Sequence, residues 1–140
     1  MEYIIFKKTK IGCIIFAMFF ISCNSEKDSK MNSFVNKQYM KKENVNFNKL
    51  LNYDYLYVFR EGTTNDSVSK AIGFNYDGDK DISRLIIFTK GKNIVFEQTD
   101  LCSESAYFVN FNTNKVKFNN TITFSIEKDK SSDIFFLTPR

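Results

Sequence analysis

Residues 85–99 read LIIFTKGKNIVFEQT, two runs rich in β-branched and aromatic residues joined by Lys90-Gly91-Lys92-Asn93. Runs of this kind fit a pleated, half-buried surface, and a compact polar link with glycine where positive φ is needed joins antiparallel neighbours. The stretch therefore predicts a β-hairpin. Leu85-Ile86-Ile87-Phe88 is apolar on both faces, which places its strand in the interior of a sheet.

The same texture continues outward from this hairpin. Short apolar runs separated by polar turns predict strands at 54–60, 69–76, 82–90, 93–99, 106–111, 115–119, 121–127 and 133–138. Asn112-Thr113-Asn114 reads as a second hairpin link, and alternation puts Val116 with Phe118, and Ile122 with Phe124 and Ile126, on common faces. The single proline, Pro139, interrupts none of these runs. The fold class is all-β: an antiparallel meander curling into a small sandwich or partial barrel, with one short helix expected from NFNKLLNY, residues 46–53.

The N-terminus has a different character. MEYIIFKKTK places Lys7, Lys8 and Lys10 ahead of an uncharged apolar run at 11–21, the layout of an export signal. Eleven residues at about 1.5 Å each reach only about half of the roughly 30 Å hydrocarbon core, so a cleaved signal fits better than a spanning helix. The run ends in Phe20-Ile21-Ser22-Cys23.

These four residues resemble the lipobox of bacterial lipoproteins, with Ser22 and Cys23 carrying the match and Phe20 departing from the leucine usual at its place. The resemblance covers only residues 1 to about 30. It implies cleavage after residue 22 and acylation of Cys23 as the first mature residue. Asn24 stands where aspartate is associated with inner-membrane retention, so outer-membrane delivery is the expectation. Two or three acyl chains, at about 0.8 kcal/mol per buried methylene, would make dissociation negligible. An ordinary secretory signal with an incidental Cys23 is the plainer alternative.

The expected organisation is thus a signal peptide at 1–22, a flexible tether at 23–45 and a β-domain at 46–140. Removing the signal leaves 140 − 22 = 118 residues and lowers the formal charge from +4 to +2, because three lysines and Glu2 leave with it. Scattered lysines without an arginine stripe argue against nucleic acid as a partner. Within the tether, Phe34, Val35, Tyr39 and Met40 are read as too few to bury a helix face, and coil scaling would hold the domain about 25 Å from the bilayer. Lys37, Lys41 and Lys42 are a solvated run within reach of anionic headgroups.

Chemistry-bearing residues are sparse. The chain has no histidine, which removes Ser-His-Asp and Cys-His catalysis and the commonest zinc sites, so no catalytic residue, metal ligand or cofactor is assigned. Asp77, Asp79 and Asp81 place oxygen side chains at alternate positions, as calcium loops do. However, Ile82 occupies the glycine position and Phe88 that of the bidentate glutamate, and Asp77-Gly78 is a strong turn in its own right. Cys102 reads as a small buried hydrophobe, left alone once Cys13 departs and Cys23 is capped. Tyr53, Tyr55 and Tyr57 alternate along one strand face, more as sheet packing than as a ligand platform. Ser67, between Asp66 and Val68, is a conceivable sugar acceptor on a three-residue match alone.

Two function classes follow. One is a lipid-anchored, non-enzymatic binding or interaction module facing a protein or glycan, an immunity lipoprotein being a special case. The other is an envelope enzyme working through carboxylates, with or without calcium.

Overall fold

The computed structural model describes residues 25–78, 84–99, 108–132 and 134–140. Its elements are α1 (Ser25–Met40), β1 (Tyr55–Phe59), α2 (Asn65–Ile72), β2 (Leu85–Lys90), β3 (Asn93–Thr99), β4 (Phe108–Phe111), β5 (Lys117–Asn119), β6 (Phe124–Lys128) and β7 (Ile134–Pro139), with a 3-10 turn at Phe47–Lys49. The class is all-β. Four strands form one antiparallel sheet in the order β3-β2-β1-β5, and three form a second in the order β4-β7-β6, where β4 runs parallel to β7.

The hairpin of 85–99 forms as its sequence requires. β2 lies between β1 and β3, and Leu85 to Phe88 are all buried, as a strand apolar on both faces demands. Gly91 takes φ 56° in the link, and its N–H donates to Asp54 Oδ2 at 2.8 Å. Phe88 pairs with Phe96 but Thr89 with Ile94, so β3 carries one extra residue, a β-bulge that twists this edge strand.

Each face of the four-stranded sheet has its own core. Leu56, Ile86, Phe88, Phe96 and Phe118 join Met31, Val35, Val45, Phe47, Tyr53 and, from the second sheet, Phe111, Phe124, Phe135 and Leu137. Phe47 is the hub: its ring centroid lies 5.3 Å from Phe88, 5.9 Å from Phe124 and 6.1 Å from Phe111. On the opposite face Tyr57, Phe59, Leu85 and Ile87 pack against Val68 and Ile72 of α2 and against Tyr76.

Three expectations are corrected and one is narrowed. The segment 69–76, read as a strand, begins instead as the second half of α2: Thr64 Oγ1 accepts the Ser67 N–H as N-cap, Val68 and Ile72 recur at helical spacing, and Gly73 ends the helix at φ 84°. The tether expected at 23–45 is mostly α1, which buries Met31 and Val35, one turn apart, in the main core. The helix expected at 46–53 shrinks to the 3-10 turn, with Asn46 Oδ1 accepting the Asn48 N–H at 2.9 Å. Asn112-Thr113-Asn114 does not close a hairpin but carries the chain from one sheet to the other, because β4 pairs with β7 and β5 with β1.

Among the described residues, no helix is long and apolar enough to cross a membrane.

Candidate functional site

Of the residues that the sequence singles out, Tyr53, Tyr55, Tyr57, Ser67 and Asp77 lie among the described residues. Cys23, Cys102, Asp79 and Asp81 lie outside the described residues, as does the signal peptide expected at 1–22. Asp77 is exposed, while the side chain of Tyr76 lies across Gly78 where a Cβ would stand, and Asn65 Nδ2 donates to the Gly78 carbonyl at 3.0 Å. Tyr76 in turn donates to Glu97 Oε1 at 2.5 Å, so this turn is fastened to the sheet. Among the described residues no group of three acidic or cysteine side chains is arranged to hold a metal. Ser67 serves α2 as part of its N-terminal cap, its hydroxyl 3.0 Å from Thr64 Oγ1.

The tyrosine row does not share one face. Tyr53 precedes β1 and turns into the main core, edge-on to Phe88 at 4.8 Å, whereas Tyr57 packs on the α2 side and stacks with Phe59. Burial pushes the Tyr53 phenol up to about 12, and its hydroxyl has no hydrogen-bond partner. Only Tyr55 is well exposed, and Lys117 Nζ sits 3.9 Å from its ring centroid, a cation–π contact that occupies that face.

A site that the sequence reading missed lies where the two sheets part. Val58, Ile86 and Gln98 stand side by side across β1, β2 and β3, one step beyond the packed row of Leu56, Phe88 and Phe96. By the same alternation Arg60 and Arg84 come next, just past the ends of β1 and β2. These residues, with Glu61, Asn110 and Phe111, line a cleft of about 270 Å³. Arg60 is held across its mouth, donating through Nη2 to the Thr113 carbonyl at 3.1 Å and to Asn114 Oδ1. A second groove of about 300 Å³ shares Phe59, Arg60 and Thr113 and continues to Ser67 and Ala71 of α2.

Gln98 is the unusual member. It is 3 % exposed, and neither Nε2 nor Oε1 has a hydrogen-bond partner. Leaving a buried polar group unpaired costs about 1–3 kcal/mol, so an apolar residue of that shape would serve the fold better. The signal was present in VFEQT, where strict alternation puts Gln98 on the core-facing side with Phe96. The cleft thus combines an apolar floor, an amide able to give and take a hydrogen bond, and a rim with two guanidinium groups and one carboxylate. That composition suits binding.

Compared with protein-family models, with curated proteins and with solved structures, the chain matches none.

Proposed function

We propose that this chain is a lipid-anchored cell-envelope lipoprotein, delivered to the outer membrane, whose β-domain is a non-enzymatic binding module. The anchor rests on Ser22-Cys23 at the end of the apolar run behind three lysines. The binding role rests on one observation, the unpaired carboxamide of Gln98 in a cleft rimmed by Arg60 and Arg84. A polar ligand, protein or glycan, that offers both a donor and an acceptor recovers the cost of that amide as the side chain turns toward it. An anionic group on the same ligand meets the arginine rim, where planar guanidinium favours carboxylate or phosphate. An immunity-type role, in which the captured ligand is a toxin segment, is one form of this reading.

A photo-crosslinking residue at Glu61, exposed on the rim, tests it in intact envelopes. The expected result is one reproducible adduct that disappears with Arg84→Glu. No reproducible adduct, or one indifferent to that charge reversal, contradicts the binding role.

A further inference from the structure

A helix in place of a flexible tether changes how the domain would meet the membrane. α1 begins two residues after Cys23 and runs for 16 residues, a rise of about 24 Å. Its rotation is fixed, because Met31, Val35 and Gln38 face inward: the first two are fully buried in the core, and Gln38 Nε2 donates to Glu43 Oε2 and to the Asn44 carbonyl. The opposite face carries Lys30, Ser33, Lys37, Met40 and Lys41, all exposed, at the i, i+3, i+7, i+10 and i+11 spacing of one helix side. Met40 is 73 % exposed, an apolar side chain set among lysines.

Lys42 follows with φ 58°, a left-handed conformation that glycine adopts more readily, and closes the helix through its N–H to the Tyr39 carbonyl at 2.9 Å. The tertiary fold adds charge that the local sequence does not contain. Tyr39 packs edge-on against Phe135 at 5.6 Å and lies beside the β6–β7 turn, which brings Lys128 and Lys130 to this end of α1. Lys37, Lys41 and Lys42 thus stand at the same end of α1 as Lys128, which lies over the Phe135 ring, and Lys130. Among the described carboxylates there, Glu43 accepts a hydrogen bond from Gln38 Nε2, and Asp129 accepts from the Ser131 and Ser132 hydroxyls at 2.8 and 2.6 Å.

We infer that the outward face of α1, with Lys37, Lys41 and Lys42 around Met40, docks on anionic lipid headgroups, so that the domain lies on the bilayer in one orientation. The inference rests on the anchor at Cys23 proposed above. An acyl chain at one end of the helix holds its start at the surface, and the lysine face supplies the second contact along its length. A lipid chain combined with a basic patch is an effective pairing because each lysine near an anionic surface contributes about 1 kcal/mol, or roughly fivefold in partition.

Amine footprinting of the native lipidated protein on vesicles tests this, with flotation on neutral phosphatidylcholine vesicles read in parallel. On phosphatidylglycerol-containing vesicles, acetylation of Lys37, Lys41 and Lys42 is expected to slow about fivefold, while Lys70 on α2 and Lys92 in the hairpin link keep their rates. Added salt should erase the difference, and so should a Lys37→Gln/Lys41→Gln/Lys42→Gln variant read at Lys30. Uniform rates at all lysines, or equal protection on neutral vesicles, overturn the docking face. Failure of the native protein to float on neutral vesicles instead overturns the acyl anchor, and the two results are read independently.

Discussion

Replacing Met31 with alanine distinguishes a helix that belongs to the core from a tether that does not. Met31 is fully buried among core residues that include Val35 and Phe47. Removing a buried methionine down to Cβ costs about 2–5 kcal/mol once the residual cavity is included. For a single domain whose whole stability is about 5–15 kcal/mol, that is a third or more of the total at mid-range. At roughly 4 °C per kcal/mol for a domain of this size, Tm should fall by about 8–20 °C. Met40→Ala is the matched control: same helix, same exchange, same change in intrinsic helix preference, but a side chain 73 % exposed. Its effect should stay within about 0.5 kcal/mol. Urea unfolding followed by tyrosine emission is well suited, since the chain has 7 tyrosines and no tryptophan. If Met31→Ala proved as mild as Met40→Ala, α1 would be a tether after all, and the oriented docking built on it would lose its basis.

Two further outcomes follow from groups buried without partners. Gln98→Met exchanges an unpaired amide for an apolar chain of similar length, and should raise stability in urea titration by about 1–3 kcal/mol while abolishing the Glu61 adduct; a loss of stability would show that the amide is paired. The Tyr53 phenol has its pKa raised by burial from 10.0 to about 12, so its contribution is fully present below pH 10 and is lost as pH rises toward 12, where the unfolded chain ionises first. Tyr53→Phe should therefore be neutral or stabilising at pH 7 and should flatten the alkaline limb between pH 10 and 12 in thermal melts; an unchanged limb would contradict this.

The parts legible in the sequence are those in which local pattern and tertiary role coincide. β2 and β3 were readable because a doubly apolar strand, a glycine link and a second apolar run each point to the same hairpin. α2 was misread because AIGF looks like a strand fragment, while the decisive signals, the Thr64 cap, the Val68 and Ile72 spacing and the Gly73 stop, lie across a wider window. α1 was missed for a different reason: its inward stripe is narrow, and Met31 and Val35 acquire their weight only from core residues elsewhere in the chain, including Phe47 and the rings of the second sheet. The parallel pairing of β4 with β7 has no local signature at all, since it joins segments more than twenty residues apart. The cleft was half legible: Gln98 broke the apolar alternation of β3 in plain view, but the approach of Arg60 and Arg84 depends on the register of three strands.

The most direct test of the whole account is metabolic labelling with a fatty-acid probe, comparing the native chain with Cys23→Ala. The account predicts label on the native protein, a mature chain starting at position 23, and neither in the variant. A native protein that still begins at Met1, or that carries a free thiol at Cys23, would contradict it.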